Sequence, residues 1–197
     1  MMKTILLSIA ILLGISFNAK AQEEGKFRGG LNLGVAIPSG GAGFLFDLEL
    51  KYNLKDNMNV GFRYGSAVIA KAVKLDSGDE FESANISANA SYMATYDYYF
   101  VLGGSFNPFV GAGVGAYTLA SVSAKDGDEF NDSNLDANTK FGGFIRGGFE
   151  ASKFRFTLEY DFIPKSTLQD VDGNEVGSIT NNYLGVTVGF YVGGGKW

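Results

Sequence analysis

The stretch from residue 84 to residue 100 reads Ala-Asn-Ile-Ser-Ala-Asn-Ala-Ser-Tyr-Met-Ala-Thr-Tyr-Asp-Tyr-Tyr-Phe. Apolar side chains of one parity alternate along it with mostly polar side chains of the other, from Ala84 to Phe100. Successive side chains of a β-strand point to opposite faces, so the stretch predicts a strand with one apolar and one polar face. Seven other segments alternate similarly, at about residues 27–37, 44–54, 58–73, 107–123, 139–151, 153–163 and 181–192. The chain therefore predicts an all-β protein of eight amphipathic strands.

The first 21 residues have the layout of an export signal. Lys3 precedes an apolar run from Ile5 to Phe17, and Ala19-Lys20-Ala21 supplies a small-x-small cleavage site. The run is shorter than the ~20 apolar residues that a membrane-spanning helix needs. We therefore expect cleavage after Ala21, which divides the chain into a signal peptide, 1–21, and one barrel domain, 22–197.

The composition favours strands next to a non-aqueous medium. Aromatic residues make up 14% of the sequence, and charged residues, at 19%, fall below the ~25% usual for soluble domains. Without Lys3 and Lys20 the chain has 14 basic and 21 acidic residues, and this balance argues against a nucleic-acid partner. Cysteine and histidine are absent from the sequence, which excludes thiolate chemistry and histidine-based catalysis. We expect no enzymatic activity and no cofactor.

The links between the predicted strands alternate in length. Residues 55–57, 103–108 and 151–153 form compact turns, whereas the links at 74–82, 125–137 and 164–178 are long and polar. The link after the first strand, 38–43, is a short exception. Short turns at one end and long loops at the other are typical of an antiparallel up-and-down transmembrane β-barrel. Counted from the amino end, the alternation predicts that both termini lie in the periplasm.

The alternation alone does not decide which face of the cylinder points inward. A soluble, lipocalin-like carrier would turn its apolar face inward, and a membrane barrel would turn it toward lipid. Large aromatic side chains near the strand ends, such as Tyr92 and Phe100, favour girdles at two membrane interfaces. The other face is rich in glycine, which suits a crowded bore better than a solvated surface. On the glycine face of the fifth strand we expect Phe109, Tyr117 and Leu119 to fill the space that glycine leaves.

The predicted inward face carries charges of both signs. An eight-stranded bore is only wide enough for side chains, and an isolated buried ion is very costly, so we expect these charges to pair. The predicted network comprises Arg28, Asp47, Glu49, Lys51, Arg63, Asp97, Arg146, Glu150, Arg155, Glu159 and Asp161. Lys71, Lys140 and Lys153 are assigned to the same face. The network predicts a polar, largely plugged interior, and a narrow ion path lined by the same residues is the alternative.

The long loops are acidic. Their carboxylates include Asp76, Asp79, Glu80, Asp126, Asp128, Glu129 and Asp132. A solvated external surface accounts for them, and capture of a divalent cation by clustered oxygen ligands is the alternative. Asp170, Asp172, Asn174 and Glu175 have the oxygen-rich character of a calcium loop without its full spacing, and they are weak metal candidates.

The mature chain resembles the small eight-stranded outer-membrane β-barrels, the group that includes OmpX, OmpW and the membrane domain of OmpA. The resemblance rests on the signal from Lys3 to Ala21, the eight amphipathic strands, the alternating links and the final strand, 184–192. It implies an integral protein of the outer membrane of a Gram-negative bacterium, in contact with lipid and lipopolysaccharide and inserted by the barrel-assembly machinery. The roles of such relatives imply envelope structure or interaction with a surface partner protein. The alternatives are a narrow conduit for small solutes or hydrophobic molecules and the soluble periplasmic carrier.

Overall fold

The computed structural model describes residues 22–39, 41–72, 84–101, 105–123, 138–169 and 175–195. These ranges contain the strands β1 (Phe27–Pro38), β2 (Gly41–Lys55), β3 (Met58–Ala72), β4 (Ala84–Tyr99), β5 (Phe106–Ser123), β6 (Asn138–Ala151), β7 (Phe154–Phe162), β8 (Ser166–Gln169), β9 (Glu175–Ile179) and β10 (Tyr183–Gly193). No helix in these ranges is long and apolar enough to cross a membrane.

Eight strands, β1 to β7 and β10, close into an antiparallel barrel. Each pairs with its neighbours along the chain, and β10 closes the cylinder against β1, with Leu33 opposite Val188. Closure pairs the backbone groups of every barrel strand on both sides, as a medium without hydrogen-bonding solvent requires. The predicted fold, an all-β, eight-stranded, up-and-down antiparallel barrel, is confirmed.

The structure differs from the sequence prediction at the start of β2 and in the link at 164–178. β2 begins at Gly41 instead of about Phe44, because its pairing with β3 continues as far as Gly41 opposite Lys71. The prediction of a polar loop over 164–178 is wrong in part, since β8 and β9 pair there as a separate two-stranded sheet. At four and five residues, these strands are too short for an alternation to stand out in the sequence.

Apolar side chains on the barrel strands face outward. On β1, the five outward residues are between 39% and 65% exposed: Phe27, Leu31, Leu33, Val35 and Ile37. The ten steps from Phe27 to Ile37, at about 3.3 Å each and a tilt of about 40°, cover about 25 Å along the barrel axis, the height of the apolar band in outer-membrane barrels. This arrangement is the reverse of a lipocalin-like carrier, whose apolar side chains would line the bore.

Aromatic pairs surround the barrel near the end that carries the termini. The ring centroids of Phe27 and Tyr52 lie 4.9 Å apart, and those of Phe106 and Phe149 are equally close. The centroid of the Phe154 ring on β7 lies 5.5 Å from that of the Phe190 ring on β10. Such a girdle is the feature that marks a membrane interface in β-barrels.

Candidate functional site in the barrel interior

The eleven charged residues assigned to the interior all lie inside the barrel. None of them is more than 6% exposed: Arg28, Asp47, Glu49, Lys51, Arg63, Asp97, Arg146, Glu150, Arg155, Glu159 and Asp161. They come from six different strands, because each strand turns every second side chain into the bore. Their contacts divide them into two groups, which we call the Asp97 network and the Arg63 cluster.

The Asp97 network comprises Asp97, Glu49, Glu150, Arg28, Lys51, Arg146 and Arg155. At its centre, the Asp97 carboxylate on β4 accepts hydrogen bonds from three cations on three other strands. Lys51 Nζ on β2 lies 2.6 Å away, Arg146 Nε on β6 lies 2.8 Å away, and Arg155 Nη1 on β7 lies 3.1 Å away. Because none of these strands adjoins β4 in the sheet, the three bonds brace the cylinder from within.

Glu49 and Glu150 complete the Asp97 network on either side of its centre. Glu49 pairs with Lys51 at 2.7 Å and with Arg146. Glu150 accepts a hydrogen bond from Arg28 Nη2 at 2.9 Å and lies 3.3 Å from Arg155 Nη1. Charge-assisted bonds of this kind are the strongest hydrogen bonds in proteins, and together they neutralise most of the buried charge.

The Arg63 cluster lies nearer the end with the long links. Arg63 Nη1 donates to Glu159 at 2.7 Å, and the guanidinium lies 3.5 Å from Asp161 and 3.9 Å from Asp47. The hydroxyl of Tyr117 donates to Asp161 at 2.6 Å. One cation therefore serves three carboxylates here, whereas in the Asp97 network four cations serve three.

Aromatic side chains complete the interior, and the charge pattern of the sequence did not identify most of them. Tyr99 donates to Glu150 at 2.7 Å, and Tyr191 donates to Glu49 at 2.8 Å. The Arg155 guanidinium lies 3.7 Å from the centre of the Phe109 ring, and Arg63 lies 4.0 Å from that of Phe144. A cation over a ring face is attracted by the ring quadrupole, so the rings hold the arginines as well as filling space.

Glycines on the inward face leave room for these rings. A Cβ atom on Gly30 would collide with the Tyr191 ring, and one on Gly113 would collide with Phe144. Phe109 and Tyr117 are buried, as expected from the glycines of their strand, and Leu119 packs against the apolar core. An aromatic residue on the same face of a strand as several glycines was therefore the available sequence signal for Phe109, Tyr117, Phe144 and Tyr191, but not for Tyr99.

An apolar cluster fills the bore above the Arg63 cluster, at the end that carries the long links. Its members are Ala36, Leu45, Ala67, Ile69, Met93, Tyr117, Phe144, Ile163 and Tyr183, each at most 5% exposed. At the opposite end, the carboxamides of Asn53, Asn59 and Asn107 are fully buried. The described interior therefore consists of four layers along the barrel axis. From the end with the termini to the end with the long links, they are the buried carboxamides, the Asp97 network, the Arg63 cluster and the apolar cluster.

Comparisons with known proteins fit this architecture. A scan against protein-family models and a search of the curated proteins both find no match. The crystal structure of Neisserial surface protein A matches 86% of this chain and 97% of its own, at 15% identity and a TM-score of 0.58. The outer membrane protein OprG from Pseudomonas aeruginosa matches 89% of this chain and 99% of its own, at 12% identity and a TM-score of 0.52. The chain has the fold of the small outer-membrane β-barrels. At these identities, the likeness is one of fold.

Other charged residues of this outer-membrane barrel fold lie away from the bore or outside the described ranges. Lys153 is exposed in the turn between β6 and β7, so its assignment to the inward face is wrong: the strand begins one residue later. Lys140 is half-buried and donates to the carbonyl of Lys165. The carboxylates Asp76, Asp79, Glu80, Asp126, Asp128, Glu129 and Asp132 lie outside the described residues.

Most of the weak metal candidates lie outside the described residues. Asp170, Asp172 and Asn174 lie outside the described residues, and the backbone of Glu175 begins β9. In the part of the chain that the structure describes, no group of three or more acidic side chains has the geometry to hold a metal ion. In the bore, the three carboxylates Asp47, Glu159 and Asp161 share the guanidinium of Arg63.

Proposed function

We propose that the protein is a non-enzymatic integral outer-membrane protein with a plugged bore, acting in envelope structure or surface interaction. The observation that carries this proposal is the filled interior. The Asp97 network crosses the bore with buried ion pairs, and the apolar cluster occupies the end with the long links. Eight strands give an interior just wide enough for side chains to fill, and these layers occupy it.

The outward apolar belt supports insertion in a membrane, and the unequal links support an orientation. Both described ends of the chain, near Gln22 and Gly195, lie at the end with the tight turns, where Glu23 N donates to Gly194 O at 2.8 Å. Outer-membrane barrels keep short turns on the periplasmic side and longer loops outside. The termini are therefore periplasmic, and the acidic links face the exterior of a Gram-negative cell.

This placement defines the partners of each surface. The belt contacts lipid, and the external acidic loops meet lipopolysaccharide, whose phosphates they approach through shared divalent cations. The barrel-assembly machinery inserts the chain. The continuous pairing of β3 with β4, up to Ala72 opposite Ala84, gives the external end a long hairpin on which a surface partner protein can dock.

Conductance distinguishes the plugged barrel from a narrow conduit for solutes. We expect the purified protein to give little or no single-channel conductance in planar bilayers, because the buried layers interrupt a continuous water path. The same preparation should show heat-modifiable mobility on gels, which establishes that folded barrels were added. A stable, large open state of the folded protein would overturn the plugged bore and favour the conduit.

A further inference from the structure

Gln22 lies at the end of the barrel that carries the termini, and the residues after it hold it there. Gly25 N donates to Asn53 O at 2.9 Å, and Asn53 Nδ2 donates to Glu23 O at 3.0 Å. Gln22 is only 2% exposed, and its Oε1 accepts a hydrogen bond from Asn59 Nδ2 at 3.2 Å. Its Nε2 is buried and has no hydrogen-bond partner among the described residues. One half of the carboxamide is therefore satisfied and the other half is not.

The cleavage predicted after Ala21 would make Gln22 the first residue of the mature chain. The new α-amino group is largely protonated at neutral pH. It would introduce a positive charge at a residue that is almost fully buried, and a buried ion without a partner is costly. The mature chain would then carry two unfavourable groups on one residue, the ammonium and the Nε2 amide.

We propose that Gln22 is a modification site, at which the cleaved chain closes to an amino-terminal pyroglutamate. The neutral α-nitrogen attacks the side-chain carbonyl carbon Cδ, and the Cδ–Nε2 bond breaks. Nε2 takes one proton from the attacking nitrogen and leaves as ammonia, so that a five-membered lactam forms without any oxidant, reductant or co-reactant. Closure removes the terminal charge and the unpartnered Nε2, and it keeps the carbonyl oxygen as an acceptor for Asn59.

This inference rests on the proposed function, an exported outer-membrane protein, and on the cleavage after Ala21 that the sequence predicts. The test uses the full-length chain, expressed in a Gram-negative host and purified from the outer membrane. Mass spectrometry should find a chain that begins at Gln22 and is lighter by one ammonia than the free glutamine form. Its amino terminus should resist amine-reactive labels and be released by a pyroglutamate-specific aminopeptidase.

The Gln22→Asn variant is the matched control. It keeps a carboxamide, but closure would need a four-membered ring, so its mature chain should carry a free amine that accepts the label. A free α-amine on the wild-type Gln22, or an equally blocked Gln22→Asn chain, would overturn the proposal. A retained leader or another cleavage site would also overturn it and would be read directly from the mass. The conductance of the same preparation tests the plugged bore separately.

Discussion

Asp97 forms ion pairs with more cations than any other carboxylate of the described interior. Its carboxylate binds Lys51, Arg146 and Arg155 from three strands across the bore. Asp97→Asn removes the negative charge that the three cations share and leaves them to Glu49 and Glu150 alone. Removing one partner of a buried ion pair is strongly destabilising, and we expect the free energy of unfolding to fall by about 3–5 kcal/mol. Urea titration of the protein refolded in lipid vesicles measures this change.

Asp56→Asn is the control for that substitution. Asp56 is exposed in the turn between β2 and β3, where it accepts a hydrogen bond from Glu24 N that an asparagine oxygen also accepts. We expect this variant to stay within about 0.5 kcal/mol of the wild type. Equal losses in the two variants would show that the contacts of Asp97 across the bore add little to stability.

The eleven charged side chains of the predicted network lie in the bore and Lys153 does not, and parity did not predict which of them are partners. Side-chain direction depends only on the period of two along a strand, which the sequence displays. The contact of Arg63 with Glu159, by contrast, joins residues 96 positions apart on opposite walls. Which residues meet across a bore depends on the stagger of the closed sheet, and no local pattern contains that quantity. The roles of Tyr99 and Tyr191 depend on the same stagger.

At the scale of the strand, the outward apolar belt predicts that a charged substitution at an exposed residue is destabilising. On a water-exposed surface the same substitution is usually tolerated. Val188 is 62% exposed at the centre of β10, and Val101 is 54% exposed just after β4. If the belt contacts lipid, Val188→Arg lowers the free energy of unfolding in vesicles by about 2–4 kcal/mol, and Val101→Arg near the interface by about 0–1 kcal/mol. Two equally mild effects would contradict a lipid-facing belt, because arginine on a water-exposed strand is tolerated.

The strands themselves were the most predictable elements, and the reason is the membrane. A spanning strand needs an uninterrupted alternation of about ten residues, which is long enough to be recognised in one sequence. The hairpin of β8 and β9 has no such requirement, and contacts that are invisible in the sequence pattern hold its base. Asn181 Nδ2 donates to Pro164 O at 2.8 Å and to Ser166 Oγ at 2.9 Å.

At the scale of the whole molecule, the two ends of the cylinder differ, and this difference predicts its orientation. The absence of cysteine from the sequence allows each end to be marked with a single introduced thiol. Ser39, which follows β1, and Lys153, which precedes β7, are exposed at opposite ends of the barrel. On intact cells, a maleimide too large to cross the outer membrane should label Ser39→Cys and spare Lys153→Cys. After permeabilisation, both variants should react, which shows that each thiol is accessible in the folded protein. The reverse pattern on intact cells would place the acidic links and the apolar cluster on the periplasmic side, and the proposed contacts with lipopolysaccharide and a surface partner would then be impossible.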